Sequence, residues 1–163
     1  MKLPQIIQHK IYDLSGLQHQ IRRWRVLGKT IAFTNGCFDI LHQGHIASLS
    51  DAAREADFLV VGVNSDASTR RLKGEQRPIN DQQARAMLLA SLLMVDAVII
   101  FDEDTPLNLI NAVEPDVLVK GGDYTLEQIV GAREVIASGG RVVINPIVPG
   151  FSTTGLIEKI HRL

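Results

Sequence analysis

Short apolar runs alternate with longer amphipathic segments from Thr30 onward. A run such as Phe58–Val63 (FLVVGV) is apolar throughout, which is typical of a strand buried on both faces of a sheet. Helical crossovers between successive strands force the strands to pair in parallel. The pattern therefore predicts an α/β fold, a Rossmann-like doubly wound five-stranded parallel sheet. The predicted strands are Thr30–Phe33, Phe58–Val63, Ala97–Phe101, Asp116–Lys120 and Arg141–Asn145.

The segments between these strands carry helix signals. The predicted helices are Gly44–Ala56, one from a cap at Asn80 to about Met94, one from Thr105–Pro106, Thr125–Ser138 and one from Ser152. Thr125 and Gln128 have the spacing of a capping box. The polar segment 64–80 is rich in Arg, Lys and Gly, and it is predicted as a mobile loop with at most one short helix.

Residues 1–29 are predicted to form a helical segment in front of an α/β core at 30–163, all within a single domain. Leu14, Leu17, Ile21 and Trp24 recur on one face of a helix, and Ser15 is a candidate cap.

Composition restricts the partners that this chain can have. The net charge of −1 gives no reason to expect nucleic acid, and one cysteine excludes an intramolecular disulfide and a Cys-rich zinc site. No apolar run approaches the roughly 18 residues of a membrane span. The start, MKLPQIIQHK, lacks the apolar core of a signal peptide. We therefore expect a cytoplasmic protein without membrane contact.

Polar and glycine residues collect where the predicted strands end, at Asn35–Asp39, Asn64–Asp66, Lys120–Asp123 and Pro146–Thr154. The carboxyl ends of parallel strands are where doubly wound sheets bind ligands. The chain lacks GxxxxGK[ST], and it lacks GxGxxG after a strand, so a Walker ATPase and a standard dinucleotide oxidoreductase are poorly supported.

The stretch TNGCFDILHQGH (34–45) combines a strand end, a helix start and two histidines. His42 and His45 are three residues apart and face the same way, next to the positive end of a helix. They are suited to hold a phosphate and to donate hydrogen bonds to oxygens that gain charge in an in-line displacement. Asp39 is placed to orient a ring or to hold magnesium.

Other interpretations of this stretch stay open. One histidine is a simple cap or core residue in the plainest of them. Asp39, His42 and His45 as a zinc site are geometrically possible, although no further ligand is evident. Cys37 is a small buried side chain or, with a neighbouring histidine, a nucleophile.

The HQGH at 42–45 resembles the HxGH signature of the nucleotidyltransferase superfamily, which includes the small cytidylyltransferases. Four further segments follow in the order found in the D-glycero-β-D-manno-heptose 1-phosphate adenylyltransferases. These are GVNSD (62–66), RLKGEQRPI (71–79), VKGGDY (119–124) and GFSTTGLI (150–157). The resemblance covers almost the whole chain from Thr30 and implies the nucleotidyltransferase, cytidylyltransferase-like fold.

Site roles follow from this resemblance, position by position. It implies catalytic roles for His42, His45 and Lys73. The implied nucleotide-binding residues are Asn35, Gly36, Cys37, Phe38, Asp39, His42, His45, Lys120, Gly121, Asp123, Ser152, Thr153 and Thr154. The implied sugar-phosphate ligands are Asn64, Asp66, Lys73 and Arg77. From the sequence alone, Lys73 and Arg77 also fit a solvated loop, and Asn64 and Asp66 fit simple turn formers.

The resemblance implies transfer of AMP from ATP to heptose 1-phosphate, which yields ADP-heptose and pyrophosphate for the lipopolysaccharide core. Mg²⁺ is the implied cofactor, held through the phosphates and by Asp39 if by any side chain, and a homodimer is the implied assembly. The stretch VPGFSTT lacks the arginine that glycerol- and ethanolamine-type cytidylyltransferases carry before their Ser-Thr motif. Cytidylyl transfer to a polyol or alcohol phosphate is the first alternative, and a nucleotide-binding regulator without turnover is the second.

Overall fold

The computed structural model describes residues 4–122, 124–146 and 150–162. The described strands form one parallel sheet in the order β1-β4-β3-β2-β5-β6. The strands are β1 (Ile11–Tyr12), β2 (Ile31–Gly36), β3 (Phe58–Asn64), β4 (Ala97–Phe101), β5 (Val117–Gly121) and β6 (Arg141–Asn145). The α-helices are α1 (Leu14–Val26), α2 (Gln43–Ala53), α3 (Asp66–Lys73), α4 (Gln82–Ala90), α5 (Leu107–Val113), α6 (Ala132–Ala137) and α7 (Thr153–His161).

The expected number of strands, five, is wrong, because the described sheet has six. The additional strand, β1, lies in the segment that was expected to be helical, where Ile11 and Tyr12 pair with Val98 and Ile99 of β4. Two residues are too few to show the alternation of a strand in the sequence. This strand is recognised only by its pairing with the edge of β4. The other strands coincide with the predicted apolar runs, within a few residues at their ends.

Helices cover both faces of the sheet, as a doubly wound fold requires. One face packs against α1, α5 and α6, with buried Leu17, Ile110 and Val135. The other packs against α2 and α4, with buried Leu49 and Leu89. The interior strands are apolar throughout because residues that alternate along each strand contribute to both layers.

Several helix starts differ from the sequence prediction by a residue or two. Asp13 caps α1 in place of Ser15, accepting a hydrogen bond from the Gly16 N–H at 2.7 Å. Asp81 caps α4 in place of Asn80, accepting from the Ala84 N–H at 2.8 Å. A carboxylate one or two residues away outcompetes the predicted cap in both cases.

Segment 64–80 contains the one short helix that the prediction allowed, the eight-residue α3, followed by a loop. Two predicted helices are revised. The predicted helix 125–138 is interrupted: the capping box of Thr125 and Gln128 is present, but it begins a 3₁₀ turn. Gly131 then adopts φ +86°, and α6 begins at Ala132. Similarly, α4 ends at Ala90 rather than near Met94.

The strand order places a topological switch at β2. From β2 the chain proceeds through β3 to β4 on one side and returns to β5 on the other side. Such a switch leaves a crevice at the carboxyl ends of the strands. The loops after β2, β3 and β5 therefore meet at one edge of the sheet.

Among the described helices, none is long and apolar enough to cross a membrane.

Candidate active site

A cavity of about 660 Å³ opens at the carboxyl edge of β2, β3 and β5. Its volume lies within the roughly 300–1,000 Å³ of small-molecule sites. Most of its wall consists of residues that the sequence singled out. It is lined by Asn35, Gly36, Cys37, Phe38, Asp39, His42, His45, Asn64, Leu72, Lys73, Arg77, Lys120, Gly121, Tyr124, Phe151, Ser152, Thr153 and Thr154.

The two histidines form the centre of this wall. Their rings stack with centroids 3.8 Å apart and planes 20° apart. The Nδ1 atoms of both rings are buried without a hydrogen-bond partner. A buried polar atom without a partner is costly, so the unpaired atoms indicate a site that a ligand completes.

Burial favours the neutral form of both imidazoles. Burial lowers the pKa of His42, and burial together with the neighbouring His42 lowers the pKa of His45 to about 4. A neutral imidazole has one N–H to donate. An anion beside the rings would raise both pKa values, because an opposite charge favours the protonated form.

The glycine between the histidines has a steric reason. A Cβ on Gly44 would stand 3.1 Å from ring atoms of His42 and 3.1 Å from Cβ of Phe151. A larger residue would push the His42 ring out of the stack. The HxGH spacing is therefore a packing requirement of the ring pair as well as a motif.

Phe38 holds the other side of the pair. Its backbone has φ +47°, which a residue other than glycine rarely adopts. In this conformation its ring meets His45 edge to face, with centroids 5.3 Å apart. Strained backbone of this kind persists where the surrounding structure demands it, and functional sites are a common place.

Asp39 lines the cavity and has hydrogen-bond partners within the protein. Its side chain is 1% exposed. One oxygen accepts from the backbone N–H groups of Ile79 and Asn80 at 2.7 and 2.9 Å, and the other accepts from Arg77. The carboxylate thus ties the loop after α3 to the histidine turn. This geometry favours a structural role over that of a magnesium ligand.

Two lysines supply positive charge to the cavity. Lys120 donates from Nζ to Asn35 Oδ1 at 2.7 Å, and burial lowers its pKa. Lys73 is the last residue of α3, an exposed position on the rim rather than the loop position expected. Arg77, by contrast, is paired with Asp39, so its charge is largely neutralised within the protein.

The start of α7 forms the remaining wall. Ser152 caps this helix by accepting from the Gly155 N–H at 3.0 Å. The Thr153 hydroxyl donates to the Ile40 carbonyl at 3.4 Å, and Thr154 lines the cavity without a side-chain hydrogen bond of its own in the described structure. The C-terminal helix that was predicted to begin near Ser152 is confirmed.

The structure places three other predicted ligand residues differently from the expectation or does not describe them. Asn64 lines the cavity but is 3% exposed, and its amide donates to Ser68 Oγ at 3.0 Å. Asp66 does not line the cavity, since its carboxylate accepts from Arg85 at 2.8 Å. Asp123 lies outside the described residues.

Three wall residues were not predicted as site residues: Leu72, Tyr124 and Phe151. Each lies inside a segment that carries the resemblance (RLKGEQRPI, VKGGDY or GFSTTGLI), and that was the available signal. The zinc interpretation finds no support, because the described part of the chain contains no group of three or more His, Cys, Asp or Glu residues suited to a metal ion.

These features define a class: an α/β protein with a cavity at the switch of a doubly wound sheet, centred on a histidine pair at a helix start. The cytidylyltransferase-like family model matches residues 33–159. The chain belongs to this family.

Curated relatives cover most of this chain. It is 58% identical over 143 residues to the bifunctional protein HldE of Nitrobacter hamburgensis. The aligned region covers 88% of this chain and 29% of that protein. It is 61% identical over 140 residues to the HldE of Hyphomonas neptunium, which spans 86% of this chain and 29% of that protein. The chain therefore spans about three tenths of the length of these relatives.

Solved structures agree with the fold. The crystal structure of a lipopolysaccharide core biosynthesis protein from Thermoplasma volcanium matches with a TM-score of 0.60 and 33% identity, covering 74% of this chain and 98% of that one. A pantothenate synthetase from Thermus thermophilus matches with a TM-score of 0.60 and 19% identity, covering 85% of this chain and 62% of that one. The second match concerns the fold alone.

Proposed function

We propose that this chain transfers AMP from ATP to D-glycero-β-D-manno-heptose 1-phosphate, with release of pyrophosphate, in the supply of heptose to the lipopolysaccharide core. The observation that carries the proposal is the stacked pair of His42 and His45, with unpaired Nδ1 atoms, at the start of α2. The names of the relatives and the order of the sequence motifs support the choice of substrates.

The reaction requires positioning more than acid–base chemistry. An oxygen of the sugar phosphate attacks the α-phosphorus of ATP in line, and the bond from that phosphorus to the bridging oxygen breaks as pyrophosphate leaves. The attacking group is already an anion, so no strong general base is needed. Catalysis then consists of alignment and of neutralising the charge on the phosphoryl oxygens.

The cavity residues fit these tasks. The histidine N–H groups and the first N–H groups of α2 are donors for α-phosphate oxygens. Lys120 in β5 and Lys73 at the end of α3 both line the cavity and would neutralise phosphates of either substrate. Mg²⁺ would add charge neutralisation as a partner of the ATP phosphates, and no side chain is assigned to hold it.

Pyrophosphate release tests the proposal. ATP and CTP are each assayed with and without heptose 1-phosphate, and glycerol 3-phosphate serves as the alternative acceptor. Release only with ATP and heptose phosphate is the expected result. Release with CTP and a polyol phosphate would assign the chain to the alternative reaction, and nucleotide binding without release in any combination would favour a regulator.

We also propose a homodimer, as the sequence resemblance implies. Light scattering coupled to size-exclusion chromatography measures the mass directly. A mass of twice the 17.9 kDa of one chain is expected, and a monomer across the concentrations of the assay would refute it.

A further inference from the structure

Arg85 on α4 is a buried cation that the proposed reaction does not use. It has the largest fully buried side chain in the described structure, with an exposed fraction of 0%. Arginine is almost never buried to this extent unless its charge and its N–H groups are satisfied. It does not line the cavity, so it does not touch a ligand there.

Its guanidinium binds four acceptors in three segments of the chain. Nη1 donates to the backbone carbonyls of Cys37 at 2.6 Å and Asn64 at 2.7 Å. Nε donates to the carbonyl of Asn80 at 3.0 Å, and Nη2 donates to the Asp66 carboxylate at 2.8 Å. The four acceptors satisfy every nitrogen of the side chain.

These acceptors belong to the segments that build the cavity. Cys37 lies in the turn that leads to the histidines, and Asn64 ends β3. Asp66 is the first residue of α3, which ends at Lys73. Arg85 thus joins the histidine turn to the helix that carries the rim lysine, across 48 residues of sequence in the case of Cys37.

A lysine cannot replace these contacts. Its single ammonium carries three donors at one point, whereas the guanidinium is a planar fork with donors on three nitrogens. Arg85→Lys therefore keeps the charge and most of the volume but loses part of the network. It is the variant that separates the geometry of Arg85 from its charge.

We propose that Arg85 is a positioning residue: it sets the distance between the histidine turn and Lys73, and Asp66 acts through it rather than on the sugar phosphate. This inference rests on the proposed function, because turnover is its main readout. It also accounts for the place of Asp66 outside the cavity, since the carboxylate orients Arg85 instead of a substrate.

The experiment compares wild type, Arg85→Lys, Lys73→Ala and the double variant. The turnover number and the KM for each substrate are measured well below the unfolding temperature of every protein. Arg71→Lys is the matched control. Arg71 lies on α3, the helix that ends at Lys73, and pairs with Asp104 at 2.6 Å, but both side chains are exposed, at 45% and 57%.

Arg85→Lys is expected to lower the turnover number by roughly tenfold to 10²-fold, the scale of a displacement of up to about 1 Å at a reacting centre. The KM values should change much less. In the Lys73→Ala background the same change should cost clearly less, because residues that act through each other are not additive. Arg71→Lys should match wild type.

Two outcomes would overturn the proposal. Arg85→Lys with a lower unfolding temperature but wild-type turnover would make Arg85 a purely structural residue. If Arg85→Lys lowers turnover by the same factor in the wild-type and the Lys73→Ala backgrounds, Arg85 does not act through Lys73.

Asp66→Asn provides a second route if Arg85→Lys does not fold. It leaves the three carbonyl contacts of Arg85 in place and weakens only the ion pair. A lower turnover number with an unchanged KM for heptose 1-phosphate is expected. A raised KM with unchanged turnover would assign Asp66 to the sugar phosphate, as the sequence predicted, and would overturn the positioning role.

Failure of the proposed function is recognised separately. If wild type releases no pyrophosphate from ATP and heptose 1-phosphate, that function is wrong. ATP affinity, measured calorimetrically on the same proteins, then tests the positioning role. Weaker binding in Arg85→Lys that is non-additive with Lys73→Ala would support it, and unchanged binding would overturn it.

Discussion

Two helices begin at the cavity, and they satisfy their first N–H groups differently. At α7, Ser152 accepts a hydrogen bond from Gly155 and so caps the helix from within the protein. At α2, the residue in the same position is His42, whose side chain makes no cap bond. The first turn of α2 therefore keeps free donors next to the stacked imidazoles.

This difference separates a structural helix start from one suited to a ligand. Free N–H groups at a helix start are satisfied by a side chain, by water or by an anion. Histidine is a poor cap, so α2 is less stable with His42 before it than it would be with a serine there. A phosphate group at this point would serve as the missing cap, which is why we place the α-phosphate at α2 rather than at α7.

The largest expected effect comes from the histidines. His42→Ala or His45→Ala should lower turnover by about 10²-fold or more, the scale of losing one positioned donor in such a site. Pyrophosphate release under saturating substrate measures it. Turnover close to wild type in both variants would remove α2 from its assigned role.

Lys120→Met should have the next largest effect on turnover. It removes one charge-assisted contact, worth about 1.5–3 kcal/mol, which corresponds to roughly tenfold to 10²-fold. The methionine fills the same half-buried space, so the unfolding temperature should not fall in proportion. Unchanged kcat and KM would show that Lys120 has only a structural role, through its hydrogen bond to Asn35.

Ser152→Ala sharpens the comparison from the other side. Loss of the cap should lower the free energy of unfolding by about 1 kcal/mol. Turnover should fall far less than in the histidine variants, because the serine oxygen is already engaged by Gly155. Ser152→Asn, which retains a cap, should restore the stability. A turnover loss as large as that of the histidine variants would contradict the comparison.

A further expected effect is a pH dependence of stability. The pKa of His45 in the folded protein is about 4, below that of an exposed histidine near 6.5. The unfolded chain therefore binds more protons between these values, and the free energy of unfolding rises with pH across this window. Denaturant unfolding at pH 5 and pH 7 measures it. His45→Gln should show a smaller rise, and an equal rise in both proteins would contradict the assignment.

The sequence predicted those features that depend on neighbouring residues. The apolar runs marked five strands because their side chains fill both layers of the core, and Thr125 and Gln128 formed the expected capping box. The HQGH stretch indicated the site because its histidines and its glycine act within one helical turn. The resemblance then supplied the cavity residues, most of which the fold brings together.

Local sequence patterns did not predict features that depend on contacts with residues far away in the chain. Segment 64–80 was predicted as a mobile loop with at most one short helix, and its polar residues did not show where that helix lies. It is α3, with Ser65 as its cap and with Asp66 held by Arg85. Asp39 was considered for magnesium because a carboxylate near a phosphate site suggests it. Its actual partners, Arg77, Ile79 and Asn80, lie about 40 residues further along the chain.

The sequence by itself determined the order of the elements, the doubly wound class and the position of the histidine pair, since each depends on periodicity or on spacing within a turn. Only the tertiary structure decided that β1 adds to the sheet edge, that Asp39 binds a loop and that Arg85 joins three segments. Each of these is a contact between residues far apart in the chain. Such a contact forms because burial leaves a polar group or a strand edge no other partner, and no local pattern records that.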